Sequence, residues 1–390
     1  MRARFVSRLF PMVMIAALML LTAVPSQAAP PVNARINLHI PDIAGYVTLK
    51  CDFHMHTVFS DGAVWPTVRI QEAWREGLDV ISITDHIEYQ PHKADVPTNY
   101  NRPYAIALPS AEAAGIMLIR GAEITRPMPP GHLNAIFIKN ADSLAKEDWR
   151  GAIAAASGQG AFIFYNHPGF PDPKGNPLWG PDHEELLRNG RLHGVEVVNE
   201  REYYPESHRW CLEKKLAMIA SSDQHSPIED DYLVRDGEHR PITLVFAKKR
   251  TPEAVMEALF ARRTAVWSEN TLIGEERFLR PIFSGSIEVV TPERVIKGNG
   301  SANVQVRNDS DVTFELVRNG DTEYVTAPGS ATLYAGRTVI LTIRAKPGGA
   351  SSGRKRVHLP YTVKNLLVAP GQGLAGEIPV TVRIIPAGKK

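Results

Sequence analysis

From about residue 47 to residue 270 the chain alternates short apolar runs with amphipathic segments. The apolar runs are TLKCDFH, LDVISIT, IMLIRGAEI, HLNAIFI, GAFIFYNH, GVEVV, LAMIASSD, PITLVFA and TAVW. Most are continuously apolar rather than alternating, as in strands covered on both faces. PTVRIQEAWREG, SLAKEDWRGAIAAAS, PDHEELLRNG and TPEAVMEALFARR carry helical spacing, and several open on a proline where a first helical turn tolerates one. Strands alternating with helices predict parallel β/α construction. After about residue 283 the pattern changes. SIEVV, NVQVRN, DVTFELV, SATLYA, TVILTIRA, YTVKNLLV and IPVTVRII are short β-prone runs punctuated by Asn-Gly, Pro-Gly and Gly-Gly pairs, without a helical period. They predict an all-β sandwich. Within this region PGGASSGRK reads as a mobile loop.

The N-terminus stands apart. Arg2, Arg4 and Arg8 precede an apolar run from Met12 to about Val24, followed by Pro25 and the small-residue end Ser26-Gln27-Ala28. This is the order of a secretory leader. The run is shorter than the roughly 20 residues that span a bilayer, so cleavage is expected, with a periplasmic or secreted product not held at the membrane. Losing residues 1–28 removes three arginines and no acid, which takes the net charge from +2 to −1. No basic run remains, so no nucleic-acid partner is expected. Cys51 and Cys211 are too few and too far apart for a disulfide framework, and Cys51 is expected as a buried thiol. The 390-residue chain thus divides into a leader (1–28), an N-terminal extension (29–46), a β/α domain (47–282) and a β-sandwich (283–390). The junction, RFLRPIFSGS, is apolar and short, which predicts a sandwich packed on its neighbour rather than tethered to it.

Candidate chemistry concentrates at the ends of the β/α strands. Side chains alternate across a strand, so CDFHMH puts Asp52, His54 and His56 on one face and Cys51, Phe53 and Met55 on the other. Asp61 follows in a Ser-Asp-Gly turn. ISITDH ends on His86, IRGAEIT on Glu123, FIFYNHPG on His167, and MIASSDQHS on Asp223 and His225. His132, in GHLNAIF, differs in preceding its strand. In parallel β/α barrels the C-terminal strand ends carry the active site. Residues spread over six strands converge only if the sheet closes, which predicts a barrel rather than an open sheet. Six histidines and three carboxylates exceed the needs of one ion and suit two or three divalent metals. Manganese or zinc is expected, with iron a further option. Asp52 is expected to orient a histidine from behind. Lys93 and Arg126, close in sequence to these motifs, are candidate phosphate contacts. His92 lies near the proposed mouth, and the remaining histidines default to structural or surface roles.

In order along residues 47–270, HMHTVFSDG, TDH, GAE, NHPG and SSDQH resemble the PHP (polymerase and histidinol phosphatase) family of metal-dependent phosphoesterases. The resemblance implies an α/β fold, a distorted (β/α)7 barrel with a trinuclear metal centre, here followed by the smaller β-sandwich. It implies one ion on His54, His56, Glu123 and Asp223, a second on Asp61, His86 and His225, and a third on Glu123, His132 and His167. Some family members carry histidine where this chain has Asp61. The leader, TDHIEYQPHK, GHLNAIFI, AVWSENTLIGEE and the β-domain are similar to an exported group, the Sb-PDE type, acting on small dialkyl or haloalkyl phosphate diesters. The expected activity is therefore hydrolysis of a small phosphate diester, with metal-bound hydroxide as nucleophile and no nucleophile from the protein. A phosphomonoesterase or exonuclease on the same centre, and a non-catalytic metal-binding protein, are the alternative readings.

Overall fold

The computed structural model describes residues 34–96, 99–291, 293–346 and 352–386. The expected leader lies outside the described residues. From Arg35 onward the chain forms one compact unit. Its β/α part runs β1 (Val47–Asp52), α1 (Pro66–Arg75), β2 (Val80–Ile83), α2 (Arg102–Ala114), β3 (Met117–Ile124), β4 (Leu133–Ile136), α3 (Trp149–Gly158), β5 (Phe162–Tyr165), α4 (Pro181–Arg188), β6 (Gly194–Asn199), β7 (Glu202–Tyr203), α5 (Pro205–Lys214), β8 (Ala217–Ser221), α6 (Ile228–Asp231), β9 (Ile242–Ala247), α7 (Pro252–Phe260), β10 (Thr264–Ser268) and β11 (Thr271–Gly274). Helix starts follow local chemistry. Asp148 accepts from Gly151 N at 3.0 Å to cap α3, and Thr251 accepts from Ala254 N at 3.3 Å to cap α7.

The strands make a barrel wall in the order β10-β9-β1-β2-β3-β4-β5-β6-β8. The wall is not all parallel, as the alternation predicted. β1, β2 and β3 are parallel, as are β5, β6 and β8, but β4 runs antiparallel to both its neighbours and β9 antiparallel to β1 and β10. The link from Ile124 to Leu133 is too short for a parallel crossover, which needs about a dozen residues or more. Between β8 and the β9–β10 pair, threonines do the work of a ladder. Thr243 Oγ1 accepts from Ala220 N and donates to Ala220 O, both at 2.8 Å, and Thr264 Oγ1 accepts from Met218 N at 3.1 Å. Backbone groups that would otherwise be buried unpaired are satisfied there. Inside the barrel pack Leu49, Cys51, Phe53, Val80, Ile119, Phe162, Phe164, Ile219 and Val245. Cys51 and Cys211 are buried free thiols.

The sandwich comprises β12 (Ile287–Val289), β13 (Arg294–Lys297), β14 (Ser301–Asn308), β15 (Phe314–Arg318), β16 (Val325–Thr326), β17 (Ser330–Leu333), β18 (Thr338–Ala345), β19 (Gly353–Ala369) and β20 (Gln372–Ile385). One sheet is β12-β14-β18-β16; β13, β20, β19, β15 and β17 make the other. Buried and exposed residues alternate along β18 and β20, which orders their faces toward the sandwich core. Two of the expected short runs belong to one long hairpin, β19–β20. The expected mobile loop lies partly outside the described residues, and its end, Gly353–Lys355, is already in β19. The junction is a helix, α8 (Glu276–Ser286), burying Phe278, Leu279, Ile282 and Phe283. Phe278 stacks on Phe246 of β9 (centroids 4.8 Å apart) and Phe283 meets Phe314 of β15 edge-on (5.1 Å). Barrel and sandwich therefore share one apolar core.

Candidate metal centre

β1 ends at Asp52, and the chain continues extended through His54, Met55 and His56, all fully buried. Gly62 lets the Asp61 turn fold onto this segment, since a Cβ at Gly62 would lie 2.6 Å from the His56 carbonyl carbon. His86 follows β2, Glu123 lies near the end of β3, His167 follows β5, and Asp223 and His225 follow β8. His132 precedes β4. Because β4 runs antiparallel, its start opens on the same end of the barrel as the ends of its neighbours, so His132 joins the others. All nine residues meet.

Glu123 is the hub. Its Oε2 lies 3.2 Å from His54 Nε2, 3.3 Å from His56 Nε2 and 3.0 Å from His86 Nδ1; its Oε1 lies 2.6 Å from His132 Nδ1 and 3.9 Å from His167 Nε2. Asp223 Oδ1 lies 3.1 Å from His54 Nε2 and 3.0 Å from His56 Nε2. Asp61 Oδ1 lies 3.4 Å from His86 Nε2 and 3.3 Å from His225 Nε2. The donors fall into four overlapping groups: His56-Asp61-His86-His225, His54-His167-Asp223, His54-His56-Glu123 and His86-Glu123-His132. This differs from the allotment implied by resemblance in placing His56 also with Asp61, His86 and His225, His167 with His54 and Asp223, and His86 with Glu123 and His132. Asp223 and His167 adopt left-handed backbone, φ 50° and 25°, a conformation that costs a non-glycine residue of order 1–3 kcal/mol and clusters at functional sites.

The donor set fits divalent ions. Asp61 Oδ1, Glu123 Oε1, His132 Nδ1, His167 Nδ1 and Asp223 Oδ1 are buried without a hydrogen-bond partner, a costly arrangement that a shared cation relieves. His54 and His56 also turn their Nε2 atoms toward each other at 3.1 Å. Burial opposes ionisation of Glu123 and Asp223, yet the surrounding imidazoles, His86 foremost for Glu123 and His54 for Asp223, hold both well below the usual carboxylate range. Burial and the neighbouring His86 push His56 down to about 3, leaving it a neutral donor.

A second ring of residues orients the donors. Glu196, buried in β6, accepts from His54 Nδ1 at 2.8 Å, from His167 N at 2.6 Å and from Asn199 Nδ2 at 2.8 Å. Asp85 holds the turn beyond His56 through Thr57 N (2.6 Å), Thr57 Oγ1 (2.7 Å) and Ser60 Oγ (2.7 Å). Neither was singled out from the sequence, although a lone acid inside the apolar run GVEVV was the available signal for Glu196. Asp52 reaches a histidine through the backbone rather than the ring, accepting from His54 N at 3.3 Å. It accepts from Ser222 Oγ at 2.5 Å and Arg240 Nη1 at 2.9 Å, and so anchors the segment before Asp223.

The site opens into a cavity of about 610 Å³. Its floor carries Asp61, His86, His132, His167, Asp223 and His225; Phe170, Lys174, Glu200, Glu202 and Tyr204 line its walls. Phe170 is 56 % exposed, with its ring 5.7 Å from that of His132 and 5.4 Å from that of His167. The two cations expected from the sequence are not among the lining residues. Arg126 is engaged by Glu88 at 2.8 Å and by the carbonyls of Lys146 and Glu147 at 2.5 and 2.9 Å. Lys93 is exposed in the loop after β2. Lys174 is the one lysine or arginine of the lining among the described residues.

A barrel that gathers buried carboxylates and imidazoles at one end, with an Ig-like sandwich fused to its edge, defines a class of metal-dependent hydrolase. A solved two-domain protein from Bacteroides vulgatus ATCC 8482, containing a predicted PHP-like metal-dependent phosphoesterase, is 42% identical over 89% of this chain and 99% of its own, with a TM-score of 0.83. The chain belongs to this family of two-domain PHP-like metal-dependent phosphoesterases. A family model described as an Ig-like domain, DUF5001, matches residues 287–379. Two further solved structures match at lower similarity. One, described as a candidate metal-dependent phosphoesterase from Bifidobacterium adolescentis ATCC 15703, has 19% identity, 45% and 87% coverage of the two chains and a TM-score of 0.36. The other, an amidohydrolase from Chromobacterium violaceum, has 18% identity, 46% and 89% coverage and a TM-score of 0.35. Neither bears on this chain's activity. No curated protein matches the chain.

Proposed function

We propose that the protein is an exported phosphodiesterase of small phosphate diesters, using two or three divalent ions, manganese or zinc, held by the nine carboxylate and imidazole residues. Bound ions of this kind activate water and neutralise the phosphoryl oxygens. The chain's own part is to hold the donors in place: Glu196 fixes the His54 ring, and Asp85 fixes the turn that carries His56 toward Asp61. The observation that carries the diester reading is the charge of the lining, in which Lys174 is the single lysine or arginine among the described residues, beside Glu200 and Glu202. A monoester dianion wants a compact cationic pocket. A diester brings one negative charge fewer, and the open cavity and exposed Phe170 leave room for a second ester arm. The lining also lacks the basic, aromatic-studded groove that suits a nucleic-acid strand.

The test is turnover of bis(4-nitrophenyl) phosphate against 4-nitrophenyl phosphate by chelated protein reconstituted with manganese or zinc. A kcat/KM favouring the diester by tenfold or more is expected, and preference for the monoester would overturn the reading. Export is checked by the mass of the chain recovered from a host that processes leaders; a product retaining Met1 through Ala28 would refute it.

A further inference from the structure

We propose that Arg69 is a positioning residue for the metal centre: its guanidinium braces the two turns that carry His56 and His225 against each other. Those turns follow β1 and β8, strands that share no ladder among the described residues. Beyond the strand ends they meet in one short parallel bridge, Met55 with Gln224, through Asp223 N to His54 O and His56 N to Gln224 O, each at 3.0 Å, and through Ala63 N to His225 O at 2.8 Å. Arg69 reaches from α1 between them and is fully buried. Its Nε donates to His56 O at 2.9 Å. Its Nη2 donates to Gln224 O and His225 O, each at 2.8 Å, and its Nη1 to Ser226 O and Glu72 Oε2, each at 2.8 Å. A guanidinium has five N–H groups in a fixed fork, and here there are five acceptors. Three of them are carbonyls of His56, Gln224 and His225, so the bonds fall on candidate ligand residues themselves or between them. Glu72 completes the clamp by accepting from Ile228 N at 2.9 Å with its other oxygen.

The consequence is visible in the rings. His56 and His225 stack with centroids 4.2 Å apart and planes 17° from parallel, and both turn a nitrogen toward Asp61. Lysine at position 69 has three donors on one atom and cannot span four carbonyls and a carboxylate. Loss of the clamp therefore loosens the His56-Asp61-His86-His225 group without removing a ligand. Partners that orient ligands from outside the coordination sphere are worth about 10–100-fold in metal affinity.

This inference rests on the ligand assignment proposed above, and the experiment separates the two. Chelated full-length wild type, Arg69→Lys and Glu72→Gln are titrated with cobalt(II), following the visible absorption band and the bound stoichiometry, with circular dichroism of the metal-free proteins as the control for folding. The expected result is that wild type binds cobalt and that one ion binds about 10–100-fold more weakly in Arg69→Lys with an altered band. Wild type that takes up no cobalt refutes the ligand assignment. Folded Arg69→Lys with wild-type affinity and spectrum overturns the role of Arg69 alone. If Arg69→Lys does not fold, Glu72→Gln decides: it removes the charge that anchors the same guanidinium and leaves one acceptor oxygen for two donors; weaker cobalt binding supports the clamp, and unchanged binding overturns it.

Discussion

Glu123→Gln is the most direct perturbation of the centre, because it removes a charge while keeping the shape of the side chain. The carboxylate stands within 3.3 Å of four imidazole nitrogens and belongs to two of the four donor groups. Two unit charges about 4 Å apart interact by about 4 kcal/mol at the effective dielectric of partly solvated protein. A divalent ion doubles the attraction and desolvation takes part of it back, so about 4 kcal/mol is a fair lower figure. At about 1.4 kcal/mol per decade this corresponds to roughly 10³-fold in Kd for an ion that Glu123 holds. Manganese binding is measured by competition with a chelator of known affinity, and turnover of bis(4-nitrophenyl) phosphate on the same samples. Both are expected to fall by about 10³-fold, while the metal-free variant keeps its fold, since glutamine occupies the same volume. A variant that binds wild-type manganese with a Kd within tenfold of wild type would show that the buried carboxylate is structural and that the hub has been misread.

Two further predictions concern stability. Arg240 is fully buried between Asp52 (2.9 Å) and Glu76 (2.6 Å), so Arg240→Met leaves two buried carboxylates unpaired and is expected to cost about 3–5 kcal/mol in denaturant unfolding of the chelated protein; a loss below 1 kcal/mol would refute the pairing. Burial opposes the charge of Asp79, but the Lys50 backbone N–H with the Lys50 and Arg250 cations holds it below the usual carboxylate range. Its stabilisation is therefore fully present above the unfolded pKa of about 4 and lost as pH falls through the lower folded value. Asp79→Asn is expected to be about 1–3 kcal/mol less stable than wild type at pH 7, the gap closing below about pH 4; a gap independent of pH would refute the assignment.

What was legible in the sequence was whatever repeats with a strand's period or ends on it. His54 and His56, or Asp223 and His225, sit two apart beyond apolar runs, and that spacing alone puts them at one end of a sheet. The sandwich was legible for the same reason, as the alternation in β18 and β20 shows. Strand direction was not, because an apolar run reads alike both ways; hence β4, and the odd place of His132. Long charged side chains were illegible in another sense. Arg69 and Glu72 look like the solvated face of an amphipathic helix, yet both are buried against the site. Arg126 looked free beside GAE because nothing local announces that Glu88 will reach it from the preceding strand's loop. Sequence distance gives the turn on which a cation starts, not the carboxylate or carbonyl that claims it.

The sandwich also answers a problem the barrel creates for itself. The β10–β11 hairpin leaves β11 as an outer strand with unpaired backbone groups, the kind of edge that invites association. β19 covers it in parallel register, Leu272 opposite Leu366 and Ile273 opposite Leu367. Side-chain amides lock the seam: Asn365 Nδ2 donates to Asn270 O at 2.5 Å and to Thr313 O at 2.8 Å, while Asn270 Oδ1 accepts from Thr313 N at 2.9 Å. Below it α8 lays Phe278 on the barrel and Phe283 on the sandwich. A barrel cut free after α8 would expose both the strand edge and that apolar face, so lost activity in such a fragment would report misfolding rather than a catalytic role for the sandwich. The two domains differ in architecture but share one apolar core, so the metal centre is properly probed in the whole chain.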